Sequence, residues 1–292
     1  MPISKITAQE AASLVCNGDT LGVGGFGPAG APKCITPEIA RRARTEHEAG
    51  RPFKVNVVTG ASIGASCDGE LAFSVNAEIR KAYNSGRVRY MDLNLSDNAA
   101  HLRQGTTGHI DWGIIEAVEV EDFGDRSRIY LTAGIGIAPT ICRLARKGIF
   151  IERNSWHSTK VIGLHDIYEI EDHPFRTPVR ITQPIERIGL PYIEIETRPV
   201  TDAIGQHMAD FLVWNIKQGY LPAHSLTLQS GVGSGANAVL GALGRSKEVP
   251  NFNIYTEVLQ EAPLHLMLEG RVATASTGAL TISSEHLQEL YA

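Results

Sequence analysis

Glu257 is the side chain of this sequence whose surroundings most suggest chemistry. It lies within residues 253–261, Asn-Ile-Tyr-Thr-Glu-Val-Leu-Gln-Glu. Residues 253–256 favour a buried β-strand, and the apolar residues between 258 and 268 recur at helical spacing, so Glu257 is predicted at the junction of a strand and a helix. A carboxylate there either caps the helix or acts as a nucleophile. The residues by themselves favour the cap.

Three glycine-rich turns form the second chemical feature, and each follows a predicted strand. They are residues 22–32 (Gly-Val-Gly-Gly-Phe-Gly-Pro-Ala-Gly-Ala-Pro), residues 134–136 (Gly-Ile-Gly) and residues 230–237 (Ser-Gly-Val-Gly-Ser-Gly-Ala-Asn). Glycine permits positive φ and close approach to the backbone, so such turns can direct N–H groups at a phosphate or an oxyanion. Tight chain reversal is the alternative use of each turn.

The first turn matches a dinucleotide-binding fingerprint only formally. Residues 25–30 fit the pattern G-x-G-x-x-G, but Pro28 removes an amide donor from the turn. No acidic residue ends a second strand at the distance that this fingerprint requires. A nicotinamide cofactor is therefore not expected.

Strand and helix patterns alternate along the chain, which predicts an α/β fold with an open, mainly parallel sheet and helices on both faces. Glycine and proline in residues 217–223 end a long helix. We therefore predict a first domain over residues 1–220 and the start of a second, similar α/β domain over residues 221–292. The first-domain strands are expected at 20–23, 54–58, 89–92, 112–116, 128–131, 160–164 and 192–195, and its helices at 7–15, 37–45, 78–83, 139–145 and 200–217.

Composition narrows the class of protein. The 292 residues are 43% hydrophobic and carry a formal net charge of −5, which argues against a general nucleic-acid binder. No Cys-x-x-Cys pair occurs among the four cysteines, so neither a disulfide framework nor a metal site is expected. Without a signal-peptide pattern or a long apolar run, the sequence predicts a cytoplasmic protein with no membrane partner. The cysteines are Cys16, Cys34, Cys67 and Cys142.

Several motifs together carry a family resemblance. Residues 17–32, Asn-Gly-Asp-Thr-Leu-Gly-Val-Gly-Gly-Phe-Gly-Pro-Ala-Gly-Ala-Pro, resemble the first signature of the class I coenzyme A transferases. Residues 228–233 (Leu-Gln-Ser-Gly-Val-Gly) and 255–260 (Tyr-Thr-Glu-Val-Leu-Gln) resemble the acetyl-CoA hydrolase/transferase branch of that family. The resemblance runs over nearly the whole chain and covers the N-terminal part of the family. It is strongest to enzymes that move CoA between acetyl, propionyl or succinyl groups.

The resemblance implies an acyl-CoA:carboxylate CoA-transferase with Glu257 as its nucleophile. In the family, this glutamate attacks the acyl-CoA thioester and forms a mixed anhydride. The released CoA thiolate then gives a glutamyl-CoA thioester, and the acceptor carboxylate repeats the two steps in reverse. Coenzyme A is thus a substrate, and no permanently bound cofactor is expected. The implied CoA-binding turn consists of Gly231, Val232, Gly233, Ser234 and Gly235.

A pocket for the carboxylic acid is also implied by the resemblance, although it does not identify the acid. For Ser62, a turn hydroxyl that bonds its own backbone is an equally good interpretation. The implied pocket residues are Gly24, Gly25, Phe26, Gly27, Gly30 and Ser62.

Two alternatives stay open at this stage: an acyl-CoA hydrolase, in which water resolves the glutamyl intermediate, and a non-catalytic half that binds a partner. Family members continue for another domain's length past the position that matches Ala292. That part supplies oxyanion-hole donors, and an unfinished second sheet would leave an unpaired edge. We therefore expect a hetero- or homo-oligomer in which another chain supplies the second half, or a longer product.

Overall fold

The computed structural model describes residues 4–27, 29–61, 83–86, 91, 93–124, 127–162, 179–182 and 199–292. By its contacts the chain divides into two compact units. The first comprises Met1–Ile188 together with Tyr291, and the second comprises Gly189–Leu290 together with Ala292. None of the helices within the described ranges is long and apolar enough to cross a membrane.

Within the described residues, the elements of the first unit are β1 (Ser4–Ile6), α1 (Ala8–Leu14), β2 (Thr20–Val23), α2 (Ile35–Glu48), β3 (Asn56–Thr59), α3 (Leu95–Gln104), β4 (Ile110–Asp122), β5 (Ser127–Leu131), α4 (Ala138–Leu144), β6 (Ala145–Arg153), a short 3-10 helix (Thr159–Val161) and β7 (Val179–Thr182). These strands form a seven-stranded sheet with the order β1-β7-β6-β4-β2-β3. Neighbours along this path are parallel, and β5 adds to β4 in the antiparallel sense.

An apolar cluster lies on each face of this sheet. On one face, Ile115 of β4 and Ile151 of β6 pack with Ile141 of α4. On the other face, Ile114 and Phe150 from the same two strands pack with helices α1 and α2. Side chains of adjacent strand residues point to opposite faces of the sheet. Strands β4 and β6 are covered on both faces, which explains why their sequences are continuously apolar. The predicted α/β class, with helices flanking a parallel sheet, is confirmed.

Several predicted elements of the first unit are found where the sequence placed them, and others are not. The strand predicted at 20–23 is β2, and the one at 128–131 lies within β5. The strand predicted at 160–164 is wrong at its start, because Thr159–Val161 form a 3-10 helix. The predicted strand at 192–195, and most of the predicted elements at 78–83 and 89–92, lie outside the described residues.

Four elements of the first unit were not predicted: helix α3, strand β6 and the short strands β1 and β7. Helix α3 was missed because only Asn98 and Leu102 are buried on it, too few to give a helical apolar period. Strand β6 was missed because it starts at Ala145, directly after α4 ends at Leu144. No turn residue separates the two elements, so no sequence signal marks the boundary between the helix and the strand.

A buried carboxylate, Glu152 at the end of β6, holds the start of helix α2. Its two oxygens accept the backbone N–H groups of residues 33–35 at 2.5–2.9 Å. Those of Cys34 and Ile35 are donors that the helix itself leaves without partners. Burial raises the pKa of Glu152, and the three N–H donors oppose that shift. Lys33 Nζ also lies 2.8 Å from the buried Glu116. These contacts fix the chain immediately after the first glycine-rich turn.

Within the described residues, the elements of the second unit are α5 (Pro199–Lys217), β8 (Leu226–Leu228), α6 (Ser234–Arg245), β9 (Phe252–Leu259), α7 (Glu261–Leu268), β10 (Val272–Leu280) and α8 (Ser284–Tyr291). The three strands form a parallel sheet, β8-β9-β10, with β9 in the centre. Strands β8, β9 and β10 are each followed by a helix, so the N-termini of α6, α7 and α8 lie at one edge of the sheet. The core of this unit includes Leu226, Leu240, Phe252, Ile254, Leu266 and Val272.

Helix α5 packs on α6 and groups with the second unit. It ends at Lys217, as the sequence predicts. The predicted boundary at residue 220 follows this helix, whereas the contact-based division falls after Ile188. The assignment of residues 1–220 and 221–292 to two folding domains stays a prediction.

Replacing Glu152 tests whether the buried carboxylate anchors α2. Glu152→Ala leaves one buried and two partly buried N–H groups without their acceptor, and the loss at a buried group costs about 1–3 kcal/mol. We expect the free energy of unfolding, measured by urea titration, to fall by at least about 2 kcal/mol. The control Glu48→Ala, at the exposed end of α2, should change it by no more than about 0.5 kcal/mol. Equal stability of the two variants would contradict this role.

Candidate active site

Parallel pairing of β8 with β9 brings the third glycine-rich turn close to Glu257. Leu226 pairs with Phe252 and Leu228 with Ile254, so the chain leaves both strands at the same edge of the sheet. Thr256 Oγ1 donates to the carbonyl oxygen of Ser230 at 2.7 Å, and Gln260 Nε2 donates to that of Gly231 at 3.1 Å. Side chains that flank Glu257 in sequence therefore hold the start of the turn.

Glu257 lies inside strand β9, and the strand continues to Leu259. The prediction that Glu257 stands at the strand–helix junction was therefore wrong by two residues, and Val258 belongs to the strand. Helix α7 begins at Glu261 and has Gln260 as its N-cap residue. Glu257 thus does not cap this helix. Helix capping, the role that the residues by themselves favoured over a nucleophile, is therefore wrong.

The side chain of Glu257 points away from the core of the second unit. Strand β9 alternates: Phe252, Ile254 and Thr256 are buried, while Tyr255 and Glu257 are exposed. Within the part of the chain that the structure describes, the Glu257 carboxylate has no hydrogen bond or ion pair. It is thus available to a ligand.

The turn at residues 231–235 leaves room beside the start of helix α6. Gly233 is the N-cap residue with φ 129° and ψ 174°, a conformation that only glycine adopts readily, and no side chain of a described residue caps this helix. A Cβ atom placed on Gly231, Gly233 or Gly235 would meet no atom within 4 Å among the described residues. Packing therefore does not explain Gly231 or Gly235. The N–H groups of the first helical turn have no acceptor among the described residues, an arrangement suited to anions.

The first glycine-rich turn packs against the second, a contact that the sequence did not predict. Gly25 forms a parallel bridge with Gly136. A Cβ atom on Gly30, where φ is 68°, would lie 2.3 Å from the carbonyl oxygen of Gly134. Neither turn could approach the other so closely with larger residues, so packing accounts for these glycines.

The other predicted pocket residues have different environments. A Cβ atom on Gly24 would lie 2.9 Å from Ile115 Cγ2, so this glycine also allows close packing. Gly27 has φ 58°, and a Cβ atom on it would meet no described atom within 4 Å. Phe26 is half-buried. Ser62 lies outside the described residues.

The structure thus brings together part of the predicted site. Glu257 and residues 231–235 share one sheet edge in the second unit, and the turn at residues 24–30 belongs to the first unit. Thr256 and Gln260, whose side chains bond Ser230 and Gly231 of the third glycine-rich turn, were not singled out from the sequence. Both lie in the motif at residues 255–260, and the signal was present in the two-residue alternation that turns Thr256 toward the core.

Comparison with known proteins gives the family. Residues 3–202 match the model of the acetyl-CoA hydrolase/transferase N-terminal domain. The chain belongs to the acetyl-CoA hydrolase/transferase family. The resemblance found in the sequence is thereby confirmed.

Curated relatives of this family member include both transferases and hydrolases. Escherichia coli propanoyl-CoA:succinate CoA transferase is 35% identical over 99% of this chain and 64% of its own length. Clostridium kluyveri succinyl-CoA:acetate CoA-transferase is 33% identical over 97% of this chain and 57% of its own length. Acetyl-CoA hydrolase of Schizosaccharomyces pombe is 31% identical, with coverages of 94% and 58%. The chain therefore spans less than two thirds of the length of these relatives.

Solved structures agree on the fold. RipA from Yersinia pestis superposes with a TM-score of 0.70 at 18% identity, covering 98% of this chain and 66% of that chain. A 4-hydroxybutyrate CoA-transferase from Porphyromonas gingivalis gives a TM-score of 0.63 at 14% identity, covering 98% and 65%. At these identities the likeness shows that this family member has a CoA-transferase-like fold.

A matched pair of glycine variants tests the geometry of the turn. Gly233→Ala forces alanine into a backbone conformation reserved for glycine, so we expect the free energy of unfolding to fall by about 1–3 kcal/mol. Gly231→Ala places its methyl group in open space and should change that free energy by no more than about 0.5 kcal/mol. Urea titration of both variants gives the comparison, and equal values would show that the turn has a different shape.

Proposed function

We propose that this chain carries the nucleophile and the CoA-binding turn of an acyl-CoA:carboxylate CoA-transferase that acts through a glutamyl-CoA thioester. One observation carries the proposal: Glu257 is exposed on β9 between Thr256 and Gln260, whose side chains bond the glycine-rich turn that precedes the N-terminus of α6. Ligands of open α/β sheets bind at the carboxyl edge of the strands. The two transferases among the curated relatives support the same reaction class.

The reaction proceeds in four displacements that balance without an external proton. A Glu257 oxygen attacks the thioester carbonyl and expels the CoA thiolate. The product is an acyl-glutamyl anhydride. The thiolate then attacks the glutamyl carbonyl, which releases the first carboxylate and forms glutamyl-CoA. An acceptor carboxylate attacks this thioester and expels the thiolate, which finally attacks the new acyl carbonyl and restores Glu257. Covalent catalysis of this kind divides one difficult exchange into easier steps.

Residues 231–235 bind part of coenzyme A in this proposal. The N–H groups of Ser234 and Gly235, at the start of α6, are donors for an anionic or carbonyl oxygen, and the positive end of the helix dipole favours negative charge there. Binding energy from the remote part of CoA then positions the thioester against Glu257. The contacts of Thr256 and Gln260 with the turn fix the position of the turn relative to strand β9, which carries Glu257.

The acids exchanged are small carboxylates in this proposal, since propanoyl, succinyl and acetyl groups occur in the names of the curated relatives. Cytoplasmic location, oligomerisation and the need for a further polypeptide to complete the site stay predictions. So does the role of residues 24–30 in shaping the acid pocket.

Hydrolysis of acyl-CoA is a second candidate function, because one relative of comparable identity is an acetyl-CoA hydrolase. Both activities use the same glutamyl intermediate, and they differ in whether a carboxylate or water resolves it. Assays with and without an acceptor acid separate them. CoA release that requires no acceptor would favour the hydrolase.

Replacing Glu257 tests the proposed nucleophile. In the full protein, Glu257→Gln removes the attacking oxygen anion at an exposed position, so we expect acyl transfer to fall by at least about 10³-fold with Tm unchanged. Glu269→Gln, at the exposed end of α7, is the matched control and should keep activity within about twofold. Retained transfer in Glu257→Gln would exclude this residue as nucleophile.

Gly235→Ala separates CoA binding from stability. In the first turn of α6, alanine should raise the free energy of unfolding by about 0.4–1 kcal/mol through helix propensity. Its methyl group also enters the open space beside the turn, so we expect KM for acyl-CoA to rise about tenfold, equivalent to about 1.4 kcal/mol. Gly241→Ala, in the same helix but away from the turn, should stabilise the fold without changing KM. A KM that stays unchanged in both variants would place CoA elsewhere.

A further inference from the structure

Glu261, His265 and His286 form a cluster at the same sheet edge that the proposed transfer reaction does not use. Glu261 begins helix α7, His265 lies one turn further along it, and His286 lies in the first turn of α8. One potential ligand atom from each residue lies within 4.8 Å of the others. The spacing of four residues places Glu261 and His265 on one face of their helix.

The carboxylate of Glu261 is buried between the two histidines. Glu261 is 8% exposed, and its Oε1 accepts the backbone N–H of Ser283 at 2.5 Å. Its Oε2 is buried, forms no hydrogen bond with any described residue, and lies 2.5 Å from His286 Nδ1 in an ion pair and 4.0 Å from His265 Nε2. His286 Nδ1 also lies 3.0 Å from Ser283 Oγ. A buried carboxylate oxygen is costly unless a charged partner satisfies it, and two partners are available here: the His286 side chain alone, or a metal ion held by all three residues.

We propose that Glu261, His265 and His286 bind a divalent transition-metal ion of the zinc class. Two imidazoles and one carboxylate are ligands that suit Zn²⁺ and its neighbours rather than Mg²⁺ or Ca²⁺. Zn²⁺ takes such ligand atoms at about 2.0–2.2 Å, which separates them by about 3.3–3.5 Å in a tetrahedron. The distances from Glu261 Oε2 to His286 Nδ1, 2.5 Å, and to His265 Nε2, 4.0 Å, lie below and above this value. The side chain of His265 is 54% exposed, so it is free to rotate toward Glu261.

The bound ion would join the N-termini of α7 and α8 just beyond the strand that carries Glu257. Glu261 already bonds the residue that caps α8, since Ser283 is the N-cap of that helix. The metal would therefore hold the two helix starts together and leave one coordination position facing solvent. This site does not depend on the proposed transfer reaction, and its test measures binding alone.

Zn²⁺ alone, added to the chelator-treated full protein, tests the site. We expect calorimetry to show one bound equivalent in the wild type that weakens by at least about tenfold in His265→Gln and in His286→Gln. His224→Gln, an exposed histidine in the same unit, is the control and should leave that affinity unchanged. Co²⁺ in place of Zn²⁺ should give the visible absorption of a tetrahedral site in the wild type, and His265→Gln should lose it.

Two results would overturn the proposal: no Zn²⁺ uptake by the wild type, or an uptake that is the same in His265→Gln. Either would mean that Glu261 and His286 form only a proton-bridged ion pair. Because His265 is exposed, its variant should keep the wild-type circular dichroism, so it decides the question even if His286→Gln fails to fold.

Discussion

The parallel pairing of β8 with β9 is the constraint on which the candidate site depends. Parallel strands in one sheet end at the same edge, and here that edge receives the glycine-rich turn after β8 and the last residues of β9. Thr256 and Gln260 then bond carbonyl groups of the turn. Glu257, between them, is turned away from the core by the two-residue alternation of the strand. A shift of one residue in β9 would bury the carboxylate and break both contacts.

Glycine has two different uses in this chain, which the sequence alone does not separate. In the first unit, Gly30 and Gly136 allow two turns to approach each other within backbone contact distance, and larger residues would clash. In the second unit, a Cβ atom on Gly231 or Gly235 would meet no atom of the described residues within 4 Å. The first use is explained by packing within the chain. The second leaves room for a molecule from outside it.

Local patterns predicted much of the fold, and contacts between distant residues account for most of what they missed. The strand at 20–23 and the helix at 200–217 were found because period and end signals agree there. Strand β6 was missed because it follows a helix without a turn residue. The family motif identified Glu257, but its position within the strand, rather than at the strand end, required the structure. The cluster of Glu261, His265 and His286 was not predicted, because its third member comes from another helix.

The measurement that most directly tests Glu257 as the nucleophile is chemical trapping of its thioester. The full protein is incubated with acyl-CoA, reduced with borohydride, digested, and mapped by mass spectrometry. Borohydride reduces a thioester but not a free carboxylate, so Glu257 should appear as the alcohol, while Glu261 on the same peptide stays unmodified. An unmodified Glu257 in an active preparation, or reduction at a different glutamate, would contradict the proposed mechanism.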